Sequence, residues 1–240
     1  MKRDGYWRAT KYIVSDERAF VYFIVPKVAC SSIKTALLPA FPDMDQGPHF
    51  ARELESGEFG YRVHGLFDRS KHQVNKQRLL KDLGKGRYRN HFRFTFVRNP
   101  YDRLLSCYLH KLSADGPGQG FRLLMYPKGP LRVGMSFAEF VEAVHEIPDE
   151  EANPHFRSQH VTVCEDGPEK RPLADFIGRY ENLKADFALI ADRIGLEARL
   201  PHLLPSRDAG RHYREYYDRR LARLAGERYR QDAEVFGYSF

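Results

Sequence analysis

Cysteine is scarce: Cys30, Cys107 and Cys164 are the only three in 240 residues. An odd number with no metal-ligand spacing excludes a disulfide scaffold and a zinc-finger-like site, and it fits a reducing compartment. Long apolar runs are also missing. None approaches the roughly 20 residues a transmembrane helix needs, and the first twenty residues, MKRDGYWRATKYIVSDERAF, hold no apolar block of signal-peptide length. There is no internal repeat, no low-complexity tract and no carboxylate cluster suited to a metal ion. The glycines of a Walker A loop, GxxxxGK followed by Ser or Thr, are absent, which disfavours a nucleoside triphosphatase.

What remains is an ordinary globular composition, 42% hydrophobic and 30% charged, long enough for one substantial core. The net charge of +7 is unevenly placed. Residues 69–111 carry twelve Lys/Arg against Asp82 and Asp102, so this block is at +10 and the rest of the chain at −3. A basic block of this kind reads either as a site for an anionic ligand or as a solvated basic helix face.

Strand and helix patterns alternate. Ala19–Val25 is a continuous apolar run ended by Pro26, the pattern of a strand covered on both faces. A tight loop, Lys27-Val28-Ala29-Cys30-Ser31-Ser32, leads into a short helix over residues 33–38. The unit repeats with a strand at Phe92–Val97, a turn at Arg98-Asn99-Pro100, and a helix whose Tyr101, Leu104, Leu105, Tyr108 and Leu112 form one stripe. Asn99 suits the N-cap and Pro100 the first helical position. Between these units, Tyr61–Phe67 reads as a third short strand and Asn75–Leu83 as a helix. Residues 115–135, with five glycines and three prolines, read as a loop or insertion. Ser136 and Glu139 form a capping-box pattern. Residues 153–164 turn from polar to strand-like, 175–180 reads as a strand, and Asn182 opens a helix closed by Gly195. The chain from Asp208 to Phe236 reads as mostly helical. This order predicts a single α/β domain with a mainly parallel sheet.

Such sheets bind ligands beyond the carboxyl ends of their strands, where helix N-termini attract anions. At the first turn, Lys27 supplies a cation, and Ser31 and Ser32 supply hydroxyls and backbone N–H groups. At the second, Arg98 and Ser106 are placed to hold a separate phosphate. Taken singly, each set reads first as strand-end and helix-cap residues; taken together at one sheet edge, they point to an anion site.

Residues Phe23–Ser32 resemble the 5′-phosphosulfate loop of sulfotransferases, and Phe94–Ser106 resembles their 3′-phosphate motif. The nearest branch is the carbohydrate sulfotransferase family of the HNK-1 and chondroitin 4-O enzymes. Asn153–Gln159, Ile177–Glu181 and the tail Asp232…Phe236-Gly237-Tyr238 also match that branch, so the resemblance spans roughly residues 18 to 240. It implies a P-loop-like three-layer fold with a mainly parallel central sheet flanked by helices. It also implies 3′-phosphoadenosine 5′-phosphosulfate (PAPS) as donor, adenosine 3′,5′-bisphosphate (PAP) as product, and no metal requirement. Lys27, Val28, Ala29, Cys30, Ser31 and Ser32 would hold the 5′ end, and Arg98 and Ser106 the 3′-phosphate. Residues 18–114 would form the donor core and 136–240 the acceptor side.

The implied reaction is in-line sulfuryl transfer to a hydroxyl, with a carbohydrate as the expected acceptor. Lys27 would stabilise the leaving charge, and a histidine would act as base. His64, between the two motifs as the family's catalytic histidine is, stands first, with His49 as its competitor. His155, Arg157 and Tyr180 are weaker candidates for contact with the acceptor. The animal members of the branch carry a Golgi membrane anchor. A start at Met1 without a stalk makes a soluble, cytoplasmic, bacterial-type enzyme the expectation here, with an excised domain as the alternative. Two other classes stay open: a nucleotide kinase using the Lys27 loop, and a nucleic-acid-binding protein using the basic block. The tail from Ser206 speaks against the second, since its eight arginines are offset by six acids.

Overall fold

The computed structural model describes residues 10–45, 47–56, 58–114, 130–197, 200–201 and 211–240. The expected insertion at 115–135 and the first residues of the expected C-terminal helical stretch therefore lie largely outside the described residues. The chain divides into two compact units. One comprises the described parts of Ala9–Val97 and Thr162–Pro205; the other comprises the described parts of Arg98–Val161 and Ser206–Phe240.

The first unit is built on a five-stranded sheet: β1 (Lys11–Ser15), β2 (Phe20–Phe23), β3 (Gln73–Asn75), β4 (Phe92–Val97) and β5 (Phe176–Arg179), in the order β3-β1-β2-β4-β5. The centre and one side are parallel, with Tyr22 opposite Phe94 and Phe96 opposite Gly178. β1 and β3 extend the other side antiparallel. β2 is buried at every residue, as its unbroken apolar run requires. Tyr22 stacks on Phe94 at 5.3 Å, and Tyr12 meets Phe23 edge-on at 4.8 Å. Gly178 leaves room for the Phe96 ring, since a Cβ there would lie 2.5 Å from it.

The helices of this unit are α1 (Cys30–Leu37), α2 (Phe50–Ser56), α3 (Phe59–Arg69), α4 (Lys76–Gly84) and α8 (Leu183–Arg193). Two readings of the sequence change here. Residues 61–67 are not a strand but the body of α3, with Val63 and Phe67 both fully buried one turn apart. Residues 160–163, expected to be strand-like, form the single helical turn α7, and only Cys164 makes an isolated bridge, to Pro172. Asn182 stands at the N-cap of α8, but its amide donates to Asp186 rather than capping the helix.

The second unit is helical: α5 (Pro100–Lys111), α6 (Phe137–Glu146), α9 (Arg219–Arg228) and α10 (Arg230–Phe236). Its core holds Leu104, Cys107, Phe140, Val144, Phe156, Leu221 and Tyr229 among others. Asn99 caps α5 by accepting the Tyr101 N–H at 3.1 Å, with Pro100 at the first position, and the Ser136–Glu139 capping box on α6 is complete.

Candidate active site

β2 leads into the loop 24–29, and α1 starts at Cys30. Lys27 and Ala29 adopt left-handed φ angles of 70° and 51°, a conformation that costs a non-glycine residue on the order of 1 kcal/mol or more. A left-handed residue followed by a helical one turns consecutive N–H groups to the same side, which makes a concave anion receptor. Ala29 followed by Cys30 has that sequence of conformations. α1 also begins without a bond from its N-cap side chain and without an acid in its first turn, so neither of these offsets the partial positive charge of its N-terminus. The loop thus supplies, without glycine, a concave backbone of the kind that binds a phosphate or sulfate. Ser31 and Ser32 are buried, Val28 is fully enclosed, and Cys30 is partly exposed.

His64 sits in mid-α3, and its ring is bonded to α1 on both sides. Nε2 lies 2.8 Å from Ser31 Oγ and Nδ1 lies 3.1 Å from Lys34 Nζ. A lysine ammonium only donates, so Nδ1 is the acceptor, and the neutral ring carries its proton on Nε2 and donates to Ser31. Lys34 is 2% exposed, with Nζ 5.8 Å from the centre of the Phe67 ring. Asp68, further along α3, is nearby. Burial pushes its carboxyl up, but hydrogen bonds from Lys11 and Gln73 and the charges of Lys11 and Lys34 hold it below the usual range. Lys34 has no counterpart among the residues singled out from the sequence; its place one turn beyond Ser31 on α1 is the signal that points to it. His49 is exposed, at the start of α2, where its carbonyl accepts the Glu53 N–H. Tyr180 follows β5 and is partly exposed.

In the helical unit, Arg98 is 6% exposed, and its guanidinium grips Asp102 through Nε and Nη2 at 2.7 and 2.9 Å. Ser106 lies on the same helix one turn beyond Asp102 and is partly exposed. His155 bonds Asn153 through Nδ1 at 2.7 Å. Arg157 is turned inward, with Nε and Nη2 on the Ala152 carbonyl.

The basic block is substantially offset by carboxylates. Lys71 pairs with Asp43, Lys76 with Asp166, Arg78 with Asp82, Arg87 with Asp16, Arg93 with Asp175 and Arg98 with Asp102. Among the described residues, no three His, Cys, Asp or Glu converge as a metal site, and no helix is long and apolar enough to cross a membrane.

The model of the family described as "Sulfotransferase family" matches residues 10–239. The chain is 29% identical over 196 residues to carbohydrate sulfotransferase 14 of Danio rerio, covering 76% of this chain and 48% of that protein. It is 29% identical over 185 residues to the Homo sapiens protein of the same name, covering 72% and 44%. To carbohydrate sulfotransferase 12 of Xenopus laevis it is 25% identical over 211 residues, covering 77% and 48%. The chain therefore spans about half the length of the curated relatives it matches. No solved structure gives a significant match.

Proposed function

Because the chain belongs to the sulfotransferase family, we propose that it moves a sulfuryl group from PAPS to a hydroxyl of a carbohydrate acceptor. The observation that carries this reading is the left-handed Lys27–Ala29 loop opening onto the N-terminus of α1, with His64 bonded to the second residue of that helix. A strained anion receptor beside a proton-accepting group is what sulfuryl transfer asks for. The relatives named as carbohydrate sulfotransferases supply the acceptor class.

PAPS brings an activated sulfuryl group on a phosphate leaving group; the chain's own residues do the rest. The Lys27–Ser32 loop holds the 5′ end, and the Lys27 ammonium meets the negative charge that grows on the bridging oxygen as its bond to sulfur breaks. Arg98 and Ser106 hold the 3′-phosphate, which orients the donor without entering the chemistry. His64 takes the proton of the attacking hydroxyl. In the geometry described, the position of the ring that accepts is Nδ1, so proton uptake there requires Lys34 to withdraw. The bond formed is acceptor oxygen to sulfur, and the bond broken is sulfur to the phosphate oxygen, which keeps the electron pair.

Transfer of radiolabelled sulfate from PAPS to a panel of glycans, phenols and small alcohols tests the reading. Label in a glycan is the expected result. Label only in phenols or small alcohols overturns the acceptor class, and absence of both PAP binding and transfer overturns the donor assignment.

A further inference from the structure

Residues 152–159 lack regular structure, yet Ala152, Asn153, Arg157, Ser158 and Gln159 are each no more than 6% exposed. Buried backbone outside helices and strands needs partners from elsewhere. Here they are side chains brought from distant parts of the helical unit. Arg103, itself 2% exposed, donates to the carbonyls of Arg157 and Pro154 at 2.8 and 2.9 Å. The Tyr229 hydroxyl donates to the Phe156 carbonyl at 2.6 Å. Asp149, which is paired with Arg228, accepts the Ser158 N–H at 2.9 Å. Asp232 is fully buried, and its carboxylate accepts the N–H groups of Gln159 and His160 at 2.7 and 2.8 Å and bonds His160 Nδ1 at 2.8 Å.

This frame presents one side chain to Arg98. Gln159 is 1% exposed; its Oε1 accepts the Arg98 N–H at 3.0 Å and its Nε2 donates to the Arg98 carbonyl at 2.9 Å. The two bonds fix the peptide planes on either side of the Arg98 Cα. At the other end of the same residue, Asp102 fixes the guanidinium. Bidentate recognition of a phosphate depends on where the guanidinium plane lies, and a ligand group left loose by its supporting shell loses most of its advantage.

We propose that Gln159, held in place by Asp232, is a positioning residue for Arg98, and that the pair sets how much the donor's 3′-phosphate adds to binding. The inference rests on the reading of Arg98 as the 3′-phosphate ligand. Neither Gln159 nor Asp232 reaches the donor in this scheme; each acts through the backbone of Arg98.

The test compares the affinities of PAP and adenosine 5′-monophosphate, which differ only in the 3′-phosphate, for the full chain by titration calorimetry. Gln159→Met should lower the ratio of the two affinities roughly tenfold or more while leaving adenosine 5′-monophosphate binding close to that of the unaltered protein. Asp232→Asn keeps one acceptor oxygen and should lower the same ratio less. A purely structural role would weaken both nucleotides alike, so an unchanged ratio in folded Gln159→Met overturns the proposal. If Gln159→Met does not fold, Gln159→Glu, which keeps the acceptor for the Arg98 N–H, is judged by the same ratio. Arg98→Ala separates the premise from the inference. If it leaves the ratio unchanged, the 3′-phosphate assignment fails and the proposal with it. If it lowers the ratio and the Gln159 variants do not, positioning alone is overturned.

Discussion

Lys27 and Arg98 both carry a cation to the end of a strand, but they are asked to do different work, and kinetics can tell them apart. In the proposed mechanism the charge Lys27 meets develops as the bridging bond breaks, so Lys27→Ala should lower kcat more than it weakens PAP binding. In the same scheme Arg98→Ala loses a charge-assisted bond to the 3′-phosphate, a group that does not react. It should weaken PAP binding by about 1.5–3 kcal/mol with a smaller effect on kcat. The reverse pattern, Lys27 changing affinity alone, would exchange the two roles. For the base, His64→Ala should cut turnover by about 10²–10⁴ and leave PAP affinity and Tm near those of the parent. The exposed His49 should tolerate alanine within about tenfold, or 1.4 kcal/mol of barrier. Loss of turnover confined to His49→Ala would move the base there. A joint loss of stability and activity in His64→Ala would make the ring a strut between α3 and α1, which its bonds to Ser31 and Lys34 also permit.

On β5, Gly178 faces the Phe96 ring of β4 so closely that a Cβ would sit 2.5 Å from it. Gly178→Ala must displace the Phe96 ring or part the two paired strands and should cost about 1–3 kcal/mol, read as a lower midpoint in urea; an unchanged midpoint would show that the Phe96 ring moves freely. The frame behind Arg98 makes a prediction about pH. Burial pushes the Asp149 carboxyl up, but the Arg228 pair and the Ser158 N–H outweigh it, and its pKa is lowered on folding. A lowered folded pKa means that the stabilisation is complete above the ordinary aspartate value, roughly pH 4. It is then lost as pH falls through the folded value. Thermal melts between pH 3 and 7 should therefore fall more steeply below pH 4 for the parent than for Asp149→Asn. Equal slopes would remove Asp149 from the account.

On the scale of the whole chain, the net charge of +7 arises largely in residues 69–111. Among the described residues at least six of the twelve cations there pair with carboxylates, four of these carboxylates on residues outside the block. The surplus is thus less available to a polyanion than the sequence count implies, while the proposed site at the Lys27 loop asks only for a small anion. Ligand that binds only the folded chain raises its stability by mass action, by about 2.7 kcal/mol at a hundredfold excess over Kd. PAP should accordingly raise Tm in the presence of a chelator, and ATP with magnesium should raise it less. A flat response to PAP from folded protein would count against the donor assignment, and a larger response to ATP with magnesium would favour a kinase.

Much of this was legible in the sequence where the signal is local. The covered strand β2, the aromatic strand β4, the Asn99–Pro100 start of α5 and the capping box of α6 depend on residues within a few positions of one another, and they stand where the sequence puts them. The resemblance of the two turns led to the family that the match over residues 10–239 establishes. Residues 61–67 misled because Val63 and Phe67, four apart, fit both a period of 2 and a period of 3.6. In α3 both are fully buried one turn apart, and that helix carries His64 to α1. The three-residue β3 is too short to show a period, and it takes its place by pairing with β1. The support of Arg98 was legible only as two family-like segments, ending at Gln159 and starting at Asp232, with nothing to say that they meet it: Gln159 lies 61 positions from Arg98 and Asp232 a further 73. Caps and covered strands are written in neighbouring residues, whereas which buried amide meets which backbone is settled only when distant segments must satisfy each other's hydrogen bonds out of water.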